Sequence, residues 1–278
     1  MRLINEFVVA TPIVINLRFR REFQVRILVT NDDGIFADGL WTLVGELKSI
    51  AEIMVVAPDR EMSAIGTAVS LHQPVRASKV MPRVDGVETY AVEGTPADSV
   101  ILALGKLAKD GVDLVISGIN RGANLGDDVL ISGTVGAALQ ASLHGFPAFA
   151  ISLATSDTLN FGEAARFAAL LAKKFAIKAL PADTCLNVNL PSGKIRGVRA
   201  TYPARKSHTE TVEERHDNGR QHYWLLRHRL NKPIDANTDI WAVEQGNISI
   251  SPLLTRETHT SLVPDSLCSA LFSELQRG

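Results

Sequence analysis

The chain has 278 residues, 46% of them hydrophobic and 21% charged, an ordinary globular balance with enough length for a sizeable core. Its 29 Lys and Arg against 30 Asp and Glu leave a formal charge of -1, which excludes a strongly basic nucleic-acid binder and an acidic disordered tail. Two cysteines, Cys185 and Cys268, are too few for a disulfide framework or a cysteine-rich zinc site; they read as reduced thiols, with one bridge the alternative. No run reaches the ~18 apolar residues of a membrane span. The apolar stretch Phe7–Leu17 precedes its arginines (Arg18, Arg20, Arg21), the reverse of a signal peptide, so a cytoplasmic protein is expected.

Val25–Thr30 (VRILVT) is a short, continuous apolar run, the mark of a strand buried on both faces, and Asn31-Asp32-Asp33-Gly34 ends it. Leu40, Leu43, Val44 and Leu47 recur at helical spacing behind Asp38, the expected N-cap. Ile53–Ala57 is a second strand, stopped by Pro58. Thr95-Pro96-Ala97-Asp98 is a helix start, with Thr to cap, Pro at the first helical position and an acid at the third. Ile101, Leu104 and Leu107 continue that helix. Val112–Ile116 is a strand, followed by a glycine-rich stretch and a helix from about Val135 to His144. Phe149–Leu153 is a strand, Asn160 and Glu163 open a helix carrying Phe167, Leu170, Leu171 and Phe175, and Leu186–Leu190 is the next strand.

This alternation predicts an α/β fold, a Rossmann-like three-layer sandwich around a mainly parallel sheet. Beyond residue 195 the texture changes. Tyr223–Leu226, Trp241–Val243 and Ile248–Ile250 read as strands and Ser261–Gln276 as a helix, which predicts a C-terminal β-rich extension used for oligomerisation.

The polar clusters follow strands, so they converge at one sheet edge, where open α/β sheets bind ligands. Asp32 and Asp33 repel each other unless a proton or a cation intervenes, and hard divalent cations favour such oxygen donors; a plain turn is the alternative. Neither a Gly-x-Gly-x-x-Gly nor a Walker-type loop is present. Arg60 and Ser63 in the loop after Pro58 offer a cation and a hydroxyl. The stretch from Ser117 to Thr134 carries four glycines within sixteen residues, the amides Asn120 and Asn124, and Ser132-Gly133-Thr134 at a helix start, where N–H groups favour an anion. A cation at two aspartates beside an anion pocket describes a metal-dependent phosphate site. His72 and His144 form no zinc motif, and Trp241 suits core packing or stacking on a base.

In order, VRILVTNDDG, VVAPDREMSAIG, YAVEGTPADSV, DLVISGINRGANLGDDVLISGTVGAAL and LNVNLP resemble the SurE (survival protein E) family, from about Val25 to Ser251-Pro252. The resemblance implies a metal-dependent 5'/3'-nucleotidase, a phosphatase of nucleoside monophosphates, some members also trimming short polyphosphate. It implies one Mg²⁺ or Mn²⁺ per subunit, held by Asp32, Asp33, Ser63 and Asn120. Asp32 and Asp33 are then catalytic, and Asn31, Gly118, Asn124, Ser132, Gly133 and Thr134 face phosphate or substrate. Whether an aspartate activates water or forms a phospho-aspartate stays open, and a non-catalytic nucleotide- or phosphate-binding module is the rival class. Homodimers or tetramers are implied, with the nucleoside monophosphate as partner and no membrane or specific nucleic-acid binding.

Departures are Ile131 where an aromatic is common, Gln140 in place of an acid, and Ala64-Ile65-Gly66 after the serine. The family's first strand begins almost at its initiator Met, whereas here Val25-Arg26-Ile27-Leu28 stands in that place, so 1–24 reads as a doubtful leader from an upstream start or as a genuine arm. The expected organisation is 1–24 leader, 25–195 catalytic domain and 196–278 extension.

Overall fold

The computed structural model describes residues 25–154, 160–176, 184–205, 207–217, 220–230 and 235–253; the leader, Cys268 and the helix expected at Ser261–Gln276 lie outside them. The elements run β1 (Arg26–Thr30), α1 (Asp38–Leu47), β2 (Glu52–Pro58), β3 (Ala77–Lys79), β4 (Glu88–Val92), α2 (Pro96–Leu102), β5 (Leu114–Arg121), α3 (Gly133–Leu143), β6 (Ala148–Leu153), α4 (Phe161–Ala176) and β7 (Cys185–Leu190). There follow β8 (Gly197–Ala200), β9 (His208–Asp217), β10 (Arg220–Arg229), α5 (Asp239–Glu244) and β11 (Asn247–Leu253).

Nine strands form one sheet in the order β3-β4-β2-β1-β5-β6-β7-β11-β8, and β9 pairs with β10 in a separate antiparallel hairpin. From β4 to β7 all neighbours are parallel, while β3 and β11 run antiparallel to β4 and β7. β8 and β11, both from beyond residue 195, continue this same sheet.

The apolar runs predict a sheet covered on both faces, and the core divides that way. Ile27, Val29, Ile53 and Val55 enter one cluster with Leu40, Leu43, Val44 and Leu47 of α1 and Ala164, Ala165, Ala168, Ala169 and Ala172 of α4. Leu28 and Val56, one residue out of phase, enter the other with Val100 of α2 and Val135, Ala138 and Ala141 of α3. The period of two along each strand thus sends alternate side chains into separate cores. The expected three-layer Rossmann-like architecture is the one observed, with an added antiparallel hairpin.

Local signals explain most helix starts. Thr95 Oγ1 accepts from Asp98 N–H at 3.0 Å and Asp98 Oδ2 accepts from Thr95 N–H at 2.9 Å, the reciprocal box that the sequence predicts. Asn160 accepts from Gly162 N–H at 3.0 Å beside the first turn of α4. Three expectations need correction. Asp38 is not a cap: Ala37 holds the extended cap conformation, and Asp38 is the first helical residue, paired with Arg83 at 3.0 Å. Trp241–Val243 is helical, because Thr238 caps α5 by accepting from Trp241 N–H, and that start outweighs the β preference of Trp and Val. The strand expected at Val112–Ile116 begins at Leu114 and runs on to Arg121, taking in residues read as loop. β3 and β4 lacked a long apolar run and were not expected. Among the described residues no helix is long and apolar enough to cross a membrane.

Candidate active site

β1 lies between β2 and β5, so the chain leaves β1 on one side, builds β2 to β4, and returns to β5 on the other. Loops diverge at such a switch point and open a crevice at the strand ends. A cavity of about 500 Å³ occupies it. Asp32 and Asp33 enter its wall from the turn after β1, Ser63 from the loop after β2, Asn120 from the end of β5, and Asn124 and Ser132 from the stretch leading to α3. The three polar clusters of the sequence therefore meet.

Asn31, Gly118, Gly133 and Thr134 stand behind that wall. Buried Asn31 donates from Nδ2 to the Gly34 carbonyl at 2.9 Å and closes the turn, while its Oδ1 has no hydrogen-bond partner. Gly118 sits at the shift in register between β5 and β6, just before Asn120. Gly133 has to be glycine, since a Cβ there would lie 2.8 Å from Asp32 Cβ. Gly136 lies one turn further on, and its absent side chain lets two backbones touch: a Cβ there would come within 2.7 Å of the Gly66 carbonyl carbon. Gly66 N–H also donates to the Ile131 carbonyl at 2.8 Å. The loop carrying Ser63 is thus seated on the start of α3.

The two aspartates differ. Asp32 is 5% exposed, and burial above all pushes its carboxyl up to about 6, against hydrogen bonds from Thr134 and with the Asp33 charge adding to the rise. Thr134 Oγ1 donates to Asp32 Oδ1, and the Thr134 backbone N–H also serves this carboxylate. The first turn of α3, expected to face a phosphate, is therefore spent largely on Asp32. Toward the cavity there remains Ser132, whose hydroxyl oxygen already caps Val135 N–H at 3.1 Å and whose hydroxyl hydrogen is left for a ligand. Half-buried Asp33 is also raised, first by burial, against the Arg121 N–H that it accepts at 3.0 Å, with the Glu61 charge adding to the rise.

A cation relieves such a pair. Among the described residues no three His, Cys, Asp or Glu form a metal cluster. A cation here would rest on two carboxylates and neutral oxygens. Asn120 donates from Nδ2 to the Gly122 carbonyl at 2.7 Å, which leaves Oδ1 for a ligand. The Ser63 hydroxyl donates to Glu61 at 2.6 Å and keeps oxygen lone pairs. Hard oxygen donors without sulfur or imidazole fit Mg²⁺ or Mn²⁺.

Other residues differ from expectation. Asn124 lines the cavity, but its Nδ2 donates to Ser152 at 2.8 Å, and its carbonyl accepts from both Asn187 and Asn189, the asparagines of LNVNL. Arg60 turns to its neighbour Asp59 at 3.4 Å and is not in the wall. Half-buried Trp241 is not in the wall either. His72 is exposed, and His144 ends α3 with Nδ1 2.8 Å from the Gln140 carbonyl. Tyr223 and Trp224 are exposed on β10. Glu61, Arg121 and Asp128 line the cavity without having been singled out. The acidic pair Asp127-Asp128 inside the glycine-rich stretch was the available signal.

The family model described as Survival protein SurE matches residues 27–210. The chain is 51% identical over 237 residues to a Dehalococcoides mccartyi protein named 5'-nucleotidase SurE, covering 84% of this chain and 89% of that one. A protein of the same name from Syntrophotalea carbinolica is 46% identical over 230 residues, covering 82% and 90%. The crystal structure of a SurE protein from Aquifex aeolicus matches with a TM-score of 0.75 at 34% identity, covering 86% of this chain and 96% of that one. With its switch-point aspartates, its parallel sheet and these matches, the chain belongs to the SurE family.

Proposed function

We propose that this chain is a 5'-nucleotidase that hydrolyses nucleoside 5'-monophosphates to nucleoside and phosphate with one Mg²⁺ or Mn²⁺ per subunit. On this reading, 3'-monophosphates and short polyphosphate are further substrates. Relatives named 5'-nucleotidase SurE support the reaction. The observation that carries the reading is the pairing of buried Asp32 with Asp33 at the crevice, ringed by the oxygens of Ser63, Asn120 and Ser132.

Asp32 and Asp33 hold the cation, with Ser63 Oγ and Asn120 Oδ1 as neutral donors. When bound, it offsets the charge of the phosphoryl oxygens and acidifies water. Thr134 fixes the Asp32 carboxylate through Oδ1, so that Asp32 serves as an anchor. Asp33, the more open of the two, orients the attacking water and takes its proton. The Ser132 hydroxyl and the Arg121 guanidinium surround the remaining phosphoryl oxygens. Exposed Val212 and Leu225, opposite one another across the β9–β10 hairpin, suit a homodimer or tetramer contact. A cytoplasmic setting belongs to the same reading.

The test is phosphate release from AMP, GMP, a 3'-monophosphate and tripolyphosphate with Mn²⁺, with and without chelator. Chelator-sensitive release from a 5'-monophosphate is expected. No release from any of the four would leave a nucleotide- or phosphate-binding module.

A further inference from the structure

Residues 126–128, which open the stretch leading to α3, are held by side chains from beyond position 200. Asp239 Oδ2 accepts from Gly126 N–H at 2.8 Å, and its Oδ1 accepts from Ala204 N–H at 2.9 Å. Asp127 N–H donates to Ser207 Oγ at 3.0 Å, and Asp127 Oδ2 accepts from Ser207 N–H at 2.6 Å. Asp128, which faces the cavity, takes two partners from the hairpin. Arg227 Nε of β10 donates to its Oδ1 at 2.8 Å, and His208 Nε2 of β9 stands 3.4 Å from its Oδ2. The Asp128 side chain is 26% exposed and those of His208 and Arg227 are 13% and 28% exposed, so the cluster is partly shielded from solvent. Arg227 Nη1 is paired in turn with Glu210.

The Asp128 backbone carries the connection inward. Its carbonyl accepts from Ser132 N–H at 3.0 Å and from Ile131 N–H at 3.1 Å. Ser132 caps α3, and the first turn of α3 rests on Asp32. One continuous path of bonds thus runs from hairpin to Asp128, to Ser132, to the buried carboxylate.

We infer that Arg227 is a positioning residue of the active site. Through Asp128 it sets the place of Ser132 against the phosphoryl group, so the hairpin is part of the catalytic apparatus as well as a surface for contacts. The inference rests on the phosphatase reading for its kinetic consequence, but the geometry it predicts can be read without turnover. A bond that fixes a donor pays off in substrate binding and orientation, and partners acting through one intermediary are non-additive.

The experiment compares Arg227→Ala, Asp128→Ala, the double variant and Arg227→Lys with the wild type. KM for AMP and Ki for inorganic phosphate are measured with Mn²⁺, and deuterium uptake is followed over 126–136. Arg227→Ala is expected to raise KM and Ki about tenfold with a smaller change in kcat, and to raise uptake over 126–136. In the Asp128→Ala background it should change neither constant further, and Arg227→Lys should recover most of the loss. KM and Ki within twofold of wild type, effects that multiply in the double variant, or a fall in kcat alone that tracks lost folded protein would each overturn the inference. If the wild type releases no phosphate, the phosphatase reading fails. Uptake over 126–136 and the calorimetric affinity for inorganic phosphate then decide the inference by the same comparisons.

Discussion

Replacing Asp32 by Asn removes a charge and almost no volume, and its effect on stability has a definite sign. Burial raises the carboxyl from its ordinary 3.8 to about 6 in the folded chain. A folded value above the unfolded one means that the contribution of Asp32 is fully present below about pH 4 and is lost as pH rises through about 6. A rise of about two pH units, at about 1.36 kcal/mol each, puts the cost of the ionised form near 3 kcal/mol above pH 7 without cation. At 5% exposure, solvent screens little of it. Asn can still accept from the Thr134 hydroxyl through its amide oxygen, and its NH2, a donor only, gives back part of the gain where the carboxylate accepted the Thr134 N–H. Without cation at pH 7.5, Asp32→Asn is therefore expected to be up to about 3 kcal/mol more stable than wild type, with the advantage fading by pH 4.5. Mn²⁺ should stabilise wild type far more than the variant. Losing a partner one step behind a metal ligand costs about 10–100-fold, so phosphate release should fall by at least about 100-fold. Urea unfolding at both pH values, with EDTA or Mn²⁺, checks the stabilities. A variant less stable than wild type at pH 7.5 in EDTA, or stabilised equally by Mn²⁺, would refute the assignment of Asp32 as a buried, cation-compensated charge.

Thr134→Val removes the hydroxyl that orients Asp32 while keeping its shape, and Mn²⁺ affinity by calorimetry should fall about 10–100-fold. Gly136→Ala forces a methyl against the Gly66 backbone and should cost about 1–3 kcal/mol in urea unfolding, with reduced turnover as the Ser63 loop shifts. Thr95→Ala breaks the capping box of α2 and should cost about 1 kcal/mol, leaving kcat/KM unchanged.

What could be read without coordinates was local. The α2 start is written in four consecutive residues, because a capping box closes over that distance. The two-core division follows from alternation inside β1 and β2. Asp32, Asp33, Ser63 and Asn120 meet because each stands at or just after the end of a strand of one parallel sheet, and the topology does the rest. The bonds that position them are not local. Asn187 and Asn189 look like ordinary polar residues in a strand, yet they hold a carbonyl more than sixty residues away. Thr134 was expected to face an anion, and only the depth of Asp32 reveals that both of its donors are already engaged. Trp241 misled because its β preference was read without the threonine three residues earlier. Arg227 and Asp128 stand ninety-nine residues apart, beyond the reach of any periodicity.

The seat of Gly66 on Gly136 bears on which ions the crevice tolerates. Main chain against main chain has no rotamer to adjust, so the spacing between the Ser63 loop and the helix that steadies Asp32 is nearly inelastic. Mg²⁺ binds oxygen at about 2.0–2.1 Å and Ca²⁺ at about 2.3–2.6 Å. The extra reach of a larger ion would have to be found on the opposite side, at the end of β5, where Asn120 hangs on a single bond to Gly122. If the crevice holds the proposed cation, it is built as a vice with one fixed jaw, and ion size would be gauged by how far the other can travel.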